Sequence, residues 1–234
     1  MIDTAILLAA GEGSRLRALA PSKPLCPVAG RPLIDHALLG LAQAGIARAI
    51  VVVGYAADAI AAHVAARDWP LAVEFATTDH AKPNGTSVLA AEAALGGGEA
   101  LLAMCDHLVE PALYARVAGA GPGEGLTLGI DRRLDAAGID LDDVTRVATR
   151  GTRITAVGKG LEPYDCFDTG VFAIGPALFA ALHGFAAPSL TDGVRVLAGQ
   201  GAARVVDCSD LAWMDVDDAP ALAAAERLFG VVSH

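Results

Sequence analysis

Two glycines followed by basic side chains form the stretch of this sequence that is best suited to chemistry. The apolar run 6–10 ends at Gly11 and Gly13, and Arg15 and Lys23 follow it. Glycines let the backbone turn sharply and let a ligand come close, while free backbone N–H groups and fixed positive charge bind anions. The stretch therefore predicts a binding site for a triphosphate.

Two well-known glycine motifs do not match this loop. The dinucleotide-binding pattern G-x-G-x-x-G fails because Leu16 stands at the position of the third glycine, which weakens an assignment as a nicotinamide-dependent oxidoreductase. The P-loop pattern fails because no Gly-Lys-Ser or Gly-Lys-Thr follows at the required spacing. A tight turn with incidental charges remains the alternative to a phosphate site.

Carboxylates at two other places could take part in the same chemistry. Asp106 follows the apolar run 100–104, and the carboxyl end of a parallel strand is where open α/β sheets place their ligand chemistry. Asp215 and Asp217 are two positions apart in an extended segment and therefore point to the same side. The alternatives are a turn or capping role for Asp106 and a helix-dipole role for the pair.

Alternating apolar runs and helical patterns must position these residues. The strands predicted in the first half are 49–53, 73–76 and 100–104, and the helices are 33–44, 57–66 and 88–95. Thr86 or Ser87 could cap the last of these helices. The β-α-β-α-β alternation predicts the α/β class, with a Rossmann-like, mainly parallel twisted sheet and helices on both faces.

The second half continues with shorter elements. They are helices at 111–118, 176–182, 194–198 and 220–229 and strands at 126–130, 171–174 and 204–207. The runs 145–149 and 153–157 predict a hairpin, which is a small β excursion, and the polar segment 131–143 could pass over the site. We expect one domain over 1–234, with residues up to about 125 forming a nucleotide-binding half and the rest an acceptor-binding half.

Composition narrows the functional classes. With 54% hydrophobic and 19% charged residues the chain can build a large core, which argues against disorder. A net charge of −10 argues against nonspecific binding to nucleic acid. No uninterrupted apolar stretch reaches about 18 residues, so no membrane span is predicted. The four cysteines show no C-x-x-C spacing, which predicts reduced, packed thiols and a cytoplasmic protein.

The glycine stretch has a longer counterpart in known enzymes. Its pattern, L-A-A-G-x-G-x-R-L followed by K-P-L, resembles the signature of the sugar-phosphate nucleotidyltransferase superfamily, and the resemblance covers nearly the whole chain. Within that superfamily the sequence is most similar to inositol-1-phosphate cytidylyltransferases, on the stretches 104–107, 143–147, 157–161, 167–170 and 213–217. The resemblance implies the GT-A-like fold of these nucleotidyltransferases.

The resemblance also implies a reaction. It is the Mg²⁺-dependent transfer of a nucleotidyl group from CTP to a polyol phosphate, with inositol 1-phosphate as the first choice, which yields CDP-inositol and pyrophosphate. Many such enzymes are fused to a membrane phosphotransferase that uses their product, so a separate membrane enzyme is expected here as a partner. The alternatives are UTP or GTP as the nucleotide, another sugar 1-phosphate or phosphocholine as the acceptor, and a noncatalytic nucleotide or sugar-phosphate sensor.

The same resemblance implies roles for individual residues. Those expected to be catalytic are Arg15, Lys23 and Asp106, and those expected to bind the metal are Asp106, Asp215 and Asp217. The expected nucleotide contacts are Leu8, Ala9, Ala10, Gly11, Glu12, Gly13, Ser14, Arg15, Lys23, Asn84, Gly85 and Thr86. The expected acceptor contacts are His107, Lys159, Glu162, Asp168 and Thr169.

Overall fold

The computed structural model describes residues 2–17, 20–135, 140–141 and 143–229. Its strands are β1 (Thr4–Ala9), β2 (Pro27–Val28), β3 (Arg31–Pro32), β4 (Arg48–Val53), β5 (Ala72–Thr77), β6 (Ala100–Met104), β7 (His107–Val109), β8 (Leu126–Asp131), β9 (Arg146–Arg150), β10 (Arg153–Gly158), β11 (Cys166–Ile174), β12 (Ala203–Asp207) and β13 (Trp213–Asp215). Its helices are α1 (Leu33–Gln43), α2 (Ala57–Ala65), α3 (Asn84–Ala90), α4 (Glu92–Leu95), α5 (Pro111–Ala120), α6 (Pro176–Leu182), α7 (Leu190–Gly199) and α8 (Ala219–Phe229).

A nine-stranded sheet runs through both halves of the chain, in the order β5-β4-β1-β6-β11-β8-β12-β10-β9. Strands β5, β4, β1 and β6 are parallel neighbours. β1 and β4 are almost entirely buried and apolar, as is typical of parallel strands covered on both faces by helices. The predicted parallel arrangement is therefore confirmed for the first half.

The second half makes the sheet mixed rather than mainly parallel. β11 runs antiparallel to β6, β8 and β9, the β9–β10 hairpin is antiparallel, and β12 is parallel to β8. β11 lies between β6 and β8 in the sheet and runs opposite to both, so it separates the parallel strands of the first half from the mixed strands of the second. The α/β class and the hairpin are confirmed, but the hairpin belongs to the main sheet.

Alternate residues of β1 face two different cores. Leu7 belongs to a buried cluster that includes residues of α1 and α5, whereas Ile6 belongs to one that includes residues of α3, α6 and α7. The predicted helices on both faces of the sheet are therefore present. A third, smaller cluster contains Leu16, Leu108 and Met214, and it joins the segment after β1 to β7 and β13.

Two helices begin earlier than the sequence predicts. Helix α3 begins at Asn84, so Thr86 lies inside its first turn and makes no capping hydrogen bond. The side chain of Asn84 instead accepts a hydrogen bond from the backbone of Leu190 at 2.8 Å, which ties α3 to α7. Helix α7 begins at Leu190 rather than at 194, because Ser189 and Asp192 form a capping box there.

Three further predictions concern the chain as a whole. None of the helices in the described residues is both long enough and apolar enough to cross a membrane. The four cysteines are buried free thiols, and burial raises the pKa of Cys166 to about 12, which disfavours a nucleophilic role. Of the polar segment predicted to pass over the site, 136–139 and 142 lie outside the described residues.

Candidate active site

The glycine loop follows β1 and folds over a buried lysine. Gly13 has a left-handed backbone conformation with a φ of 57°, and a Cβ atom there would overlap the side chain of Lys23. Leu16, in the short 3₁₀ helix that follows, is 1% exposed and packs in the small cluster with Leu108 and Met214. Gly13 therefore permits the close approach of loop and lysine as well as the turn itself.

Lys23 lies beneath this loop at the centre of an acidic cluster. Its side chain is 8% exposed, and its ammonium donates to Asp106 Oδ2 at 2.7 Å and to Asp217 Oδ1, while Asp215 Oδ1 lies at 3.5 Å. Burial alone would lower the pKa of Lys23, but the three carboxylates outweigh it and hold that pKa well above its usual value. Lys23 thus stays charged and gathers the three predicted metal ligands around one point.

Two short strands bring these carboxylates together from distant parts of the chain. β7 begins directly after Asp106 and pairs antiparallel with β13, so that His107 stands opposite Asp215. The backbone N–H of Val216 donates to the carbonyl of Asp106 at 3.0 Å, which continues the pairing. Neither strand is predicted from the sequence, because three residues are too few to show an alternation.

The titratable groups of this cluster have unequal surroundings. Burial alone would raise the pKa of Asp106, but the ammonium of Lys23 outweighs it and lowers that pKa. Burial raises the pKa of Asp215 to about 6, and the nearby carboxylates add to the rise. Burial alone would lower the pKa of His107, but Asp215 and Asp106 outweigh it and raise that pKa. Within the described residues, Asp215 Oδ1 is buried without a hydrogen-bond partner, and the cation that it faces is the ammonium of Lys23 at 3.5 Å.

Two of the carboxylates turn one oxygen toward Lys23 and the other toward His107. Asp106 Oδ1 lies 3.9 Å and Asp215 Oδ2 3.6 Å from His107 Nε2. We call these three atoms the ligand face. The three residues can each offer one ligand atom within 4.8 Å of the others, and their chemistry fits a divalent cation. Asp217 differs, because one of its oxygens pairs with Lys23 and the other with Arg15.

Two exposed cations lie at the mouth of the site. Arg15 pairs with Asp143 Oδ2 at 3.1 Å and with Asp217 Oδ2 at 3.3 Å, and Lys159 pairs with Asp143 Oδ1. The hydrogen bond from Lys159 is the main cause that holds the pKa of Asp143 well below its ordinary value. Because the side chains of Arg15 and Lys159 are 54% and 62% exposed, these pairs contribute little to stability and leave both cations open to another anion.

A cavity of about 730 Å³ opens among these groups. This volume is in the range of small-molecule sites. The residues of the predicted site that line it are Arg15, Asn84, Asp106, His107, Lys159, Asp168, Asp215 and Asp217. The structure therefore brings the predicted metal ligands and most of the predicted acceptor contacts to one cavity.

The predicted contacts of the glycine loop stay predictions, and Arg15 is the one of them that lines the described cavity. The side chains at 8–10 are buried, so only their backbone could meet a nucleotide. Gly11 is exposed, and none of the described atoms lies within 4 Å of a Cβ placed on it. The side chain of Glu12 pairs with Arg17, and Ser14 begins the 3₁₀ helix.

Helix α3 supplies the other predicted nucleotide contacts, and here packing explains two of the residues. Asn84 lines the cavity, but its side-chain oxygen already bonds to the backbone of α7. At Gly85 a Cβ would lie 2.6 Å from the carbonyl oxygen of Pro188, so only glycine lets α3 pack this closely. Thr86 Oγ1 is buried without a partner in the described part of the chain, and its predicted role stays open.

Two of the predicted acceptor contacts are directed elsewhere. Thr169 is fully buried and its Oγ1 donates to the carbonyl of Gly129 at 2.7 Å, so its side chain is already bonded within the sheet and its role as an acceptor contact stays a prediction. This hydrogen bond forms because Thr169 in β11 and Gly129 in β8 belong to neighbouring strands. Glu162 is highly exposed, pairs with Arg146 and is absent from the described lining of the cavity.

Four further residues line the cavity although they were not among the predicted site residues: Asp131, Arg133, Asp143 and Trp213. Asp131, which is fully buried at the end of β8, accepts a hydrogen bond from Trp213 Nε1 at 2.9 Å and pairs with Arg133 at 2.8 Å. Asp143 joins the two cations at the mouth. A carboxylate at a strand end was the only available signal for Asp131, and nothing in the sequence pairs it with a distant tryptophan.

Asp168 is an acceptor candidate whose pKa is raised by burial. It lines the cavity and accepts a hydrogen bond from the backbone N–H of Gly170 at 2.7 Å, yet burial raises its pKa to about 6. The native protein therefore holds this proton more tightly than the unfolded chain does. The contribution of Asp168 to stability falls as the pH rises from about 4 to about 6 and then stays at its lower value.

We expect Asp168→Asn to stabilise the protein by on the order of 2 kcal/mol at pH 7.5 and to change it little at pH 4. The amide oxygen can accept the same hydrogen bond and carries no charge to bury. Thermal unfolding followed across this pH range measures the difference, with Asp68→Asn, at an exposed position, as the control. An equal effect at both pH values would contradict the raised pKa of Asp168.

The site has cations at its mouth and paired carboxylates at its base, at one end of a Rossmann-like sheet. These are the groups that phosphate chemistry requires, and by class the chain is a nucleotidyltransferase. It belongs to the MobA-like NTP transferase family, whose domain model matches residues 5–173. The superfamily resemblance of the glycine stretch is thereby confirmed.

The relatives support the finer resemblance. The chain is 35% identical over 230 residues to the bifunctional IPC transferase and DIPP synthase of Rubrobacter xylanophilus, covering 96% of this chain and 51% of the relative. It is 31% identical to the protein of the same name from Aquifex aeolicus, covering 93% and 49%. The chain thus spans about half the length of these curated relatives.

Solved structures share the fold. The inositol-1-phosphate CTP transferase from T. maritima has a TM-score of 0.87 at 22% identity, covering 98% of this chain and 96% of that one. A UDP-glucose pyrophosphorylase complexed with UDP-glucose has a TM-score of 0.80 at 15% identity, covering 98% of both chains. The predicted nucleotidyltransferase fold is therefore confirmed.

Proposed function

We propose that this chain transfers the cytidylyl group of CTP to a polyol phosphate, with inositol 1-phosphate as the first choice, and that CDP-inositol and pyrophosphate are the products. The observation that carries the proposal is the meeting of Arg15 and Lys159 with Asp106 and Asp215 around one cavity. The choice of substrates is supported by the names of the relatives, two of which are IPC transferases, and of the fold neighbour, an inositol-1-phosphate CTP transferase.

The proposed cofactor is a divalent cation, with Mg²⁺ as the first choice. Asp106 and Asp215 would hold it, because each turns one oxygen away from Lys23 and toward His107. Asp217 is the weaker of the predicted ligands, because both its oxygens face protein cations. When bound, such a cation supplies positive charge that stabilises the reacting phosphates.

The reaction needs orientation more than it needs a general base. A phosphomonoester has a second pKa near 6 and is largely dianionic at pH 7. One of its oxygens would form a bond to the α-phosphorus of CTP while the bond from that phosphorus to the bridging oxygen breaks, and pyrophosphate leaves with the electron pair. The main obstacle is the repulsion between two anions, which positioned cations reduce.

The protein's own cations have separate proposed roles. Arg15, at the glycine loop, would bind the triphosphate, and Lys159, in the second half, would bind the acceptor phosphate. Asp143 occupies both cations in the free protein and would give way to the phosphates. Lys23 is too buried for free movement, so we propose that it orients Asp106 and the glycine loop and neutralises the cluster.

We propose a polyol acceptor on two grounds, the carboxylate of Asp168 in the cavity and the surroundings of the aromatic pair Tyr164 and Phe167. Asp168 could accept hydrogen bonds from acceptor hydroxyls, and an acceptor without them would leave this carboxylate unpaired. A choline group would need an aromatic cage. The pair Tyr164 and Phe167 cannot supply one as it stands, because Arg146 already lies 4.7 Å from the ring of Tyr164 and Phe167 is fully buried.

Several predictions about context belong to this proposal. Because the curated relatives are named bifunctional IPC transferase and DIPP synthase, a membrane phosphotransferase that consumes CDP-inositol is proposed as a functional partner. No role for nucleic acid is expected, given the net charge of −10. The division into a nucleotide half and an acceptor half, and a cytoplasmic location, stay predictions.

A substrate panel tests the proposal. Four nucleoside triphosphates are combined with inositol 1-phosphate, glucose 1-phosphate and phosphocholine in the presence of Mg²⁺, and pyrophosphate release is measured. We expect CTP with inositol 1-phosphate to give the highest kcat/KM. A value about ten times higher for glucose 1-phosphate or phosphocholine, or about 1.4 kcal/mol in transition-state energy, would overturn the acceptor. Nucleotide binding without pyrophosphate release in any combination would favour a sensor.

A further inference from the structure

The imidazole of His107 is held on one face, from a second side and at one nitrogen. Trp213 stacks on one face, with ring centroids 6.0 Å apart and an interplanar angle of 23°. Gly170 closes in on the ring from another side, where a Cβ would overlap the imidazole, and it has a φ of 78° that favours glycine. His107 Nδ1 lies 2.9 Å from the carbonyl oxygen of Thr169. The orientation of this ring is therefore determined by its surroundings.

The contact with Thr169 decides which nitrogen is available. A carbonyl oxygen only accepts hydrogen bonds, so Nδ1 must carry the hydrogen and donate it. The lone pair of the neutral ring is then on Nε2, which lies 3.6 Å from Asp215 Oδ2 and 3.9 Å from Asp106 Oδ1. A ring N–H bonded to a backbone carbonyl is the usual second contact of a metal-bound histidine.

The stacked tryptophan is itself fixed from behind. Trp213 Nε1 donates to Asp131 Oδ2 at 2.9 Å, and Asp131 is fully buried. Asp131 also accepts from the backbone N–H and from the guanidinium of Arg133, both at 2.8 Å. These bonds give the indole one position, and the indole in turn gives the imidazole one position.

We propose that His107 is the third protein ligand of the divalent cation, bound through Nε2 beside Asp106 Oδ1 and Asp215 Oδ2, with Trp213 as a positioning residue. Neighbouring ligands of an octahedral ion are about 3 Å apart, so small side-chain rotations close the ligand face around an ion. The inference rests on the proposed function in one respect, the presence of a divalent cation at Asp106.

A nitrogen donor has a consequence for the choice of metal. Imidazole raises the affinity of a site for Mn²⁺ and Co²⁺ relative to Mg²⁺, which prefers oxygen ligands. The site should therefore bind Mn²⁺ more tightly than Mg²⁺, and a variant without the imidazole should lose more affinity for Mn²⁺ than for Mg²⁺.

The test uses Mn²⁺ alone as the probe and the full chain without nucleotide. Pulsed electron paramagnetic resonance detects ¹⁴N nuclei bonded to Mn²⁺ through modulation of the electron spin echo. We expect nitrogen modulation in the wild-type protein, and a change to the ¹⁵N pattern when the protein is prepared with ¹⁵N-labelled histidine. This second measurement needs no substitution, so it holds even if a variant does not fold.

Variants assign the nitrogen to one residue. In His107→Asn the amide N–H can still donate to the carbonyl of Thr169, but Nε2 is gone; we expect loss of the modulation and Mn²⁺ binding about 10- to 100-fold weaker. His183→Gln is the matched control, because His183 is an exposed histidine paired with Glu92, and it should leave the signal and the affinity unchanged. Trp213→Phe should keep the modulation and weaken Mn²⁺ binding less than His107→Asn does.

Two outcomes would overturn the inference, and they separate it from the proposed function. Tight Mn²⁺ binding that Asp106→Asn abolishes, but without nitrogen modulation in the wild type, would leave the carboxylate site intact and exclude His107 as a ligand. If Mn²⁺ at millimolar concentration showed no saturable binding, neither His107 nor Asp106 would be a metal ligand. The substrate panel would still decide which reaction the protein catalyses.

Discussion

Asp106→Asn should lower kcat by about 100-fold or more, equivalent to about 3 kcal/mol, and leave the protein folded. The amide has nearly the same volume but loses the negative charge, so the ligand face loses one of its two carboxylates. Lys23 keeps Asp215 and Asp217 as partners, so we expect the unfolding free energy to change by less than about 1 kcal/mol. Steady-state kinetics at saturating Mg²⁺ and thermal unfolding measure the two quantities.

A matched variant separates this effect from a general loss of charge at the strand ends. Asp207 is also an aspartate at the carboxyl end of a strand, but it is exposed and lies outside the described lining of the cavity. Asp207→Asn should therefore retain close to wild-type activity. If Asp106→Asn retained it as well, Asp106 would have neither a metal-binding nor a catalytic role.

The sequence predicted the part of the site that depends on local pattern. The glycine loop and Asp106 both follow long apolar runs, and long buried strands of a parallel sheet are readable without any knowledge of their neighbours. Because the carboxyl ends of such strands meet at one edge, the prediction that these residues share a site needed only the fold class. The structure places both at the same cluster.

The sequence could not predict the pairing that completes the cluster. His107 meets Asp215 through two three-residue strands that are more than a hundred positions apart, and a cross-strand pair of that kind leaves no periodic signal. The stacking of Trp213 and the burial of Asp131 depend on the same pairing. Likewise, the direction of β11 belongs to its place between β6 and β8, which the pattern of the strand itself does not show.

Lys23 shows the same limit for a single side chain. A lysine beside a glycine loop is expected to contact the triphosphate, and its neighbours in the sequence carry no sign of three distant aspartates. The structure buries the side chain under Gly13 and surrounds its ammonium with those carboxylates. The role that we propose for Lys23, neutralising and orienting the cluster, leads to a second large expected effect.

Lys23→Met should destabilise the protein by about 2–4 kcal/mol at pH 7.5, because it leaves three neighbouring carboxylates without their shared buried cation. Since Lys23 lowers the pKa of Asp106, its removal should raise that pKa, and the pKa of Asp215 is already about 6 beside the lysine. The deficit should therefore shrink as the pH falls below about 6 and the carboxylates take up protons. Chemical denaturation at several pH values measures it, and Lys82→Met, at an exposed position, is the control.

A divalent cation should partly replace the missing ammonium. An ion that binds the native cluster but not the unfolded chain stabilises the protein in proportion to its affinity, and three uncompensated carboxylates should bind Mg²⁺ more tightly than the lysine-neutralised cluster does. We therefore expect millimolar Mg²⁺ to raise the melting temperature of Lys23→Met by about twice as much as that of the wild type, or more. We expect Lys23→Met to be inactive even when Mg²⁺ stabilises it, because the glycine loop has lost the side chain over which it folds. An equal response of both proteins to Mg²⁺ would show that the carboxylates around Lys23 do not form the cation site.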